Sequence, residues 1–354
     1  MKKFFRLFFP GLYLFAVFSG CLYARPQAET EAPVEIGAAI EAPVPEPPAA
    51  QPLVFTAAES VVQGDIFCVL IQSPQTNRIK GVLADLSGGD GKKILSMTGF
   101  PVPPRATTPA ADNADPADPA PETGETWAVL GGISSVQRPG DYTLNLRASC
   151  EGEEDTVFST PIAIRGRSFI SENIPLNEDM SSLRADPDPR KAAESRELWA
   201  LLVKTDTSSV YHLDSLSLPV NGNFRETSFF GDRRTFLYTD GGKANSIHYG
   251  LDYATPRGTP VYASGAGKIV MAKQRVLTGF SIVIEHLPGV YTLYYHLDKI
   301  DVKLEQLVKT GDKIGESGFT GLATGPHLHW EVRVAANAVE PKNLLTLPLL
   351  PGAH

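Results

Sequence analysis

Apolar and polar residues alternate cleanly near the C-terminal end of the chain. From His327 to Val334, one side of an extended strand carries Leu328, Trp330, Val332 and Val334. The other side carries His327, His329, Glu331 and Arg333. The apolar side predicts a core contact, so the polar side looks into a groove. The same period of two marks Tyr142-Thr143-Leu144-Asn145-Leu146, behind a turn signal at Pro139-Gly140-Asp141. Phe67-Cys68-Val69-Leu70-Ile71 is a continuous apolar run. Further strand candidates are Val261 to Ala263, Lys268 to Met271, Ile282 to Ile284 and Tyr291 to Leu297, the last two joined by a hairpin at Leu287-Pro288-Gly289-Val290. A helix is well marked from Arg190 to Leu202, with Asp188 as N-cap and Pro189 at the first helical position. Leu198, Trp199 and Leu202 are expected on its buried face, with Trp199 as a core anchor.

These elements predict a mainly β protein with two β-rich regions. A β-sandwich of immunoglobulin-like type is expected over 53–165, interrupted by a low-complexity loop over 101–125. A connector with the helix follows over 166–218. From about residue 219 the chain is β-rich again and punctuated by glycines, with a tail over 348–354. Residues 25–52, rich in Pro, Ala and Glu, cannot bury a core and are expected as an extended tether. A length of 354 residues suits two such domains.

Residues 1–24 read as an export signal: Lys2, Lys3 and Arg6 precede the apolar stretch from Leu7 to Phe18. Two endings fit it. Ser19-Gly20-Cys21 resembles a loose lipobox, which would anchor the chain to a membrane through a lipid on Cys21. Alternatively, cleavage follows Ala24. Export makes a periplasmic or cell-envelope location the expectation, and a disulfide between Cys68 and Cys150 becomes plausible there.

Composition narrows the chemistry. The formal net charge is −8, and no basic stripe appears outside the N-terminus, which argues against nucleic acid as a partner. The chain has seven histidines. Four of them fall in three short segments: His248-Tyr249-Gly250-Leu251-Asp252, Tyr294-Tyr295-His296-Leu297 and Gly325-Pro326-His327-Leu328-His329-Trp330-Glu331. Such clustering asks for a metal. Catalytic zinc takes three protein ligands and keeps one open position. Neither an HExxH helix pattern nor a paired CxxC is present, so the site is expected on strands and loops. His248 and Asp252 can converge on one ion if they lie on a loop entering a strand, with Gly250 supplying unusual backbone angles.

The order and spacing of these segments, with their flanks, resemble the M23 family of zinc metallopeptidases, the lysostaphin-like peptidoglycan endopeptidases. The resemblance covers roughly residues 219–347. It runs through Phe230-Gly231-Asp232-Arg233-Arg234, His248 to Asp252, Gly258 to Ala263, Ile284-Glu285-His286 and Tyr294 to Leu297. It continues through Lys309 to Gly315 and Gly318 to Gly321, and ends at Thr324 to Arg333. It implies a lysostaphin-like antiparallel β-sheet fold and one zinc ion. The implied ligands are His248, Asp252 and His329, with His296 and His327 as catalytic residues off the metal. It also implies an endopeptidase cutting peptidoglycan stem peptides or cross-bridges. Zinc would acidify a water towards a pKa of ~7 and polarise the scissile carbonyl. One histidine would take the proton and the other would stabilise the oxyanion. Which does which is left open.

Two other readings compete. A non-catalytic relative that activates other wall hydrolases predicts substitutions among the five site residues, and all five are present. A carbohydrate phosphocarrier of related β-architecture would lack the export segment and would not need Asp252. Among the remaining candidates, His286 matches a position near the groove in the family and is expected to be structural or to support a site residue without binding the metal itself. His212 and His354 stand alone. Glu331 and Arg333 are expected as a solvated strand face. The groove is also expected to be covered at rest by the sandwich or the connector.

Overall fold

The computed structural model describes residues 52–75, 78–103 and 124–350. The expected export segment with Cys21, nearly all of the tether, most of the low-complexity loop and His354 lie outside the described residues.

Nine strands form the sandwich among the described residues: β1 (Val54–Ala57), β2 (Ser60–Val62), β3 (Ile66–Ser73), β4 (Ile79–Gly88), β5 (Lys93–Thr98), β6 (Phe100–Val102), β7 (Glu125–Gly132), β8 (Gly140–Cys150) and β9 (Thr156–Arg165). A sheet of order β1-β3-β7-β6 packs on one of order β2-β9-β8-β4-β5. Strand alternation explains the continuous apolar run. Phe67, Val69 and Ile71 enter the sandwich core, while Ile66, Cys68 and Leu70 face the core of the second β-rich region. β7 is buried on both sides in the same way, with Trp127 and Val129 inward and Ala128 and Leu130 outward. The two regions are therefore packed through the outer face of one sheet.

This arrangement overturns the disulfide. Cys68 points out of the sandwich and Cys150 lies in its core, so alternation puts the two thiols on different sides of a sheet, and both are free. Burial pushes the Cys68 thiol up to about 12 and raises that of Cys150.

The connector supplies β10 (Ser171–Pro175), α1 (Glu178–Ala185) and α2 (Pro189–Leu202). Asp188 caps α2 by accepting from the Arg190 backbone N–H at 2.9 Å. Leu198, Leu201 and Leu202 form its buried stripe. Trp199 lies about 100° around the helix from Leu198 and is 60% exposed, so it is not a core anchor.

The second region contains β11 (Glu226–Ser228), β12 (Arg233–Leu237), β13 (Lys243–Ile247), β14 (Leu251–Tyr253), β15 (Pro260–Tyr262), β16 (Gly267–Arg275), β17 (Gly279–Leu287), β18 (Val290–Ile300), β19 (Leu307–Val308), β20 (Lys313–Ser317), β21 (Leu328–Val334) and β22 (Asn337–Val339). Its large sheet runs β11-β14-β21-β18-β17-β16-β19, with β15, β20 and β22 attached at the side. One face carries Leu328, Trp330, Val332 and Val334 into the main core. The other face is covered by α2 over Tyr291, Leu293 and Tyr295, and it continues past the helix into the site. A smaller sheet, β10-β12-β13, joins the connector to this region through a parallel β10–β12 pair.

Candidate metal centre

A short turn before β12 clamps His248. The His248 backbone N–H donates to Asp232 O (2.9 Å) and its carbonyl accepts from Gly231 N–H (2.7 Å). The ring Nδ1 is 2.9 Å from Phe229 O. Asp232 holds the turn by accepting from Phe229 N–H. Gly231 has φ 81°, and a Cβ there would run into the Phe169 ring, so both backbone and space require glycine. Arg233 ties the turn to the sandwich through Ser135 O (2.7 Å).

His248 follows β13, and Asp252 sits in the middle of β14. Gly250 between them does not have a positive φ. Its role is close approach, because a Cβ would meet the Trp330 carbonyl of the neighbouring strand. That closeness lets β14 pair with β21 in a register that sets Asp252 opposite His329. Three atoms then converge: His248 Nε2 to Asp252 Oδ1 is 3.0 Å, His248 Nε2 to His329 Nδ1 is 2.9 Å, and His329 Nδ1 to Asp252 Oδ1 is 2.7 Å.

Hydrogen bonding on the outer side of each ring fixes what these atoms offer. A carbonyl only accepts, so His248 Nδ1 carries the proton towards Phe229 O and a neutral ring turns its Nε2 lone pair inward. His329 Nε2 donates to Glu331 Oε1 at 3.0 Å, which likewise turns the Nδ1 lone pair inward. Two lone pairs and a carboxylate oxygen meeting at under about 3.3 Å, the ligand spacing around tetrahedral zinc with bonds near 2.0–2.1 Å, call for a cation between them. The donor set fits a divalent metal.

Electrostatics support the same picture. Burial opposes charge on Asp252, yet His248 and His329 hold its carboxyl well below the usual range. Burial lowers His248. Burial also opposes a proton on His329, but hydrogen bonds to Asp252 and Glu331 raise that imidazole to about 9. Burial opposes charge on Glu331 too, and Arg333 and His329 bring it down to about 2. Glu331 is 4% exposed and accepts from Arg333 Nε at 2.7 Å, so the expected solvated face is a buried ion pair that orients the His329 ring. Its place two residues from His329 on the same face was the available signal. Tyr295 stacks on His329 (centroids 5.4 Å apart, planes at 4°). Arg234 donates to Asp252 Oδ2 (3.0 Å) and Glu172 Oε1 (2.9 Å).

His296 reaches this face by a bulge. Between the pairs Phe280↔Leu297 and Ile282↔Tyr294, β18 has one residue more than β17. His296 takes φ 59°, which turns it away from the core side of Tyr294. Its Nδ1 donates to Thr320 O at 2.8 Å. His327 lies just before β21, donates from Nδ1 to Gly325 O at 2.8 Å, and places Nε2 3.8 Å from Asp252 Oδ1. The two rings are 4.7 Å apart. Burial, reinforced by His327 and His329, pushes His296 down to about 3.

All five residues line one groove of about 560 Å³ with Tyr249. The connector lines one side of it through Glu172, Ile174 and Arg184, residues that sequence reasoning had not singled out. His286 is buried in the core behind the sheet, between Ala266 O and Thr292, and His212 packs near it.

The profile described as peptidase family M23 matches residues 246–341. Over 123 residues the chain is 46% identical to the peptidoglycan DD-endopeptidase ShyB of Vibrio cholerae, a match covering 34% of this chain and 28% of that protein. It is 44% identical over 131 residues to an uncharacterized metalloprotease of Buchnera aphidicola, covering 37% and 34%. The chain thus spans about a third of the length of these relatives. A solved M23-type chain from Pseudomonas aeruginosa shares the fold at TM-score 0.50 and 23% identity, covering 81% of this chain and 95% of that one. The second β-rich region, with the groove described above, is an M23 peptidase domain.

Proposed function

We propose that the chain is an exported zinc endopeptidase that cuts peptide bonds in the stem peptides or cross-bridges of peptidoglycan. The convergence of His248 Nε2, Asp252 Oδ1 and His329 Nδ1 as lone-pair donors, with two further histidines on the same groove, carries this reading. The relatives named as peptidoglycan DD-endopeptidases support the substrate class. In this reading the three converging residues hold zinc, and peptidoglycan is the partner of the groove. Lipid on Cys21 would add membrane attachment.

When bound, zinc supplies an acidified water and polarises the scissile carbonyl. The chain does the rest. The hydrogen bonds from Nδ1 to Thr320 O and Gly325 O fix both His296 and His327 in the tautomer with a free Nε2 lone pair. Each can therefore accept a proton at Nε2 and afterwards donate it to the leaving amine. Glu331, held by Arg333, keeps His329 turned towards the metal position.

Zinc content and digestion of purified wall, with products identified by mass, test this reading on four proteins. Wild type should bind zinc and release cut peptides. His248→Ala and His329→Ala should lose zinc and activity together. His327→Ala should keep most of its zinc and lose about 10²–10⁴-fold in rate. A zinc-free His327→Ala beside a zinc-loaded His329→Ala would overturn the assignment, and a zinc-free wild type without cleavage would favour a non-catalytic scaffold.

A further inference from the structure

The groove runs from the metal centre onto one face of the small β10-β12-β13 sheet. The registers Glu172↔Arg234 and Ile174↔Phe236 put these four side chains on that face, and all four line the groove. The charges there sort into two groups. Glu172, Arg234 and Asp252 are joined to one another, and Glu331 is joined to Arg333. Every acidic side chain of the groove is thereby matched. Arg184 of α1 and Arg225, just before β11, line the same groove and have no ion-pair partner among the described residues.

Arg184 is half-buried and lies over the Phe236 ring, its guanidinium carbon 4.2 Å from the centroid. Its Nε is buried without a hydrogen-bond partner. Placement in the last turn of α1 suits the helix dipole, but that role needs neither the turn towards the groove nor an idle donor. Phe236 is two residues beyond Arg234 on β12, about 7 Å along the strand. Arg184 therefore stands about two residues of extended peptide beyond the arginine that touches Asp252. In a chain of net charge −8, Arg184 and Arg225 are the two groove-lining cations without an acidic partner among the described residues.

We propose that Arg184 and Arg225 determine specificity by binding a carboxylate on the substrate, one or two residues from the scissile bond. The proposal rests on the peptidase reading above and adds a requirement to it: the cut peptide carries a free acid on the side facing β12. A planar guanidinium pairs with a carboxylate through two parallel hydrogen bonds, and the Phe236 ring holds that plane in place.

The test uses zinc-loaded full-length protein and two probes: a cross-linked dimer of stem peptides with free carboxylates, and the same dimer amidated. Wild type should show a KM about tenfold lower for the free acid, the size of one charge-assisted hydrogen bond. Arg184→Gln and Arg225→Gln should each raise the free-acid KM about five- to tenfold and change the amide KM less than about twofold. Arg184→Lys should recover part of the loss. Equal wild-type KM values for the two dimers, or variant effects of equal size on both, would overturn the proposal. If neither dimer is cut, the peptidase reading fails, and titration calorimetry with the same dimers still decides this one. A free-acid preference of about tenfold that Arg184→Gln removes supports carboxylate recognition, and equal affinities refute it. Thermal melting of each variant checks that it is folded.

Discussion

Replacing Glu331 with Gln probes the proposed zinc site through a residue outside the proposed ligand set. The carboxylate is 4% exposed, accepts from His329 Nε2 at 3.0 Å and is held by Arg333 Nε at 2.7 Å. The substitution keeps the shape and removes the charge. Two effects then oppose each other. If His329 binds zinc as proposed, loss of the carboxylate partner should weaken it as a ligand by about 10–100-fold in metal affinity, or about 1.4–2.7 kcal/mol. The second effect is proton competition. Asp252 and Glu331 hold a proton on metal-free His329 up to about 9, against the effect of burial. Below that pH the metal must expel the proton, which at pH 7.5 costs the wild type about 30-fold in apparent affinity. Removing Glu331 lowers that pKa and relieves part of the cost. The ratio of variant to wild-type zinc dissociation constants should therefore be about 10–100 at pH 9.5, where competition has gone, and should shrink as pH falls to 7. Competition against a fluorescent chelator across this pH range measures the ratio. A ratio below about twofold at pH 9.5, or one that stays constant down to pH 7, refutes the reasoning.

Gly250→Ala should destabilise the protein by about 3 kcal/mol or more, because the new Cβ meets the Trp330 carbonyl, a backbone atom that cannot swing aside. Zinc content should fall with it, and an unchanged denaturation midpoint would remove close approach as the reason for glycine. Trp199→Ala should change stability by less than about 0.5 kcal/mol, whereas Leu202→Ala, at a 3% exposed position, should cost about 2–5 kcal/mol. Comparable losses at the two positions in urea titrations would contradict the orientation of α2. His286 is fully buried, and burial pushes it down to about 4 from 6.5. Its folded pKa is depressed, so its contribution is complete above pH 6.5 and is lost as pH falls towards 4, by about 3 kcal/mol. Urea denaturation from pH 7 to 4 should be less pH-dependent in His286→Gln, and identical slopes would rule His286 out.

The legible parts of the fold were those set by neighbours in the chain. Alternation placed Leu328, Trp330, Val332 and Val334 in the core, and Asp188-Pro189 marked the start of α2. His248, Asp252, His296, His327 and His329 were legible as a group through their motifs, and the structure brings all five to one groove. The misses depend on distant partners. Leu198, Trp199, Leu201 and Leu202 span a wide apolar arc of α2, and only Tyr291, Leu293 and Tyr295 decide which part is buried. Glu331 reads as solvated until Arg333 and His329 are seen to close around it. The stretch 166–218 reads as a linker because the β10–β12 pairing that brings Glu172 to Arg234 is not local.

His296 depends on both local sequence and a distant partner strand. Tyr291 to Leu297 looks like one uninterrupted strand, and such a strand would point residue 296 to the same side as Tyr294, into the core. The extra residue is visible only against β17. A histidine at φ 59° costs about 1–2 kcal/mol. The surroundings hold it from both ends: its backbone N–H donates to Thr278 O at 2.9 Å and its ring to Thr320 O at 2.8 Å. Packing alone would be served by a regular strand with an apolar residue facing the core at this position. The structure instead maintains a strained backbone that brings a second imidazole within 4.7 Å of His327, beside the converging lone pairs of His248 and His329. That strain serves the groove and not the core, which is the physical argument for counting His296 with the chemistry.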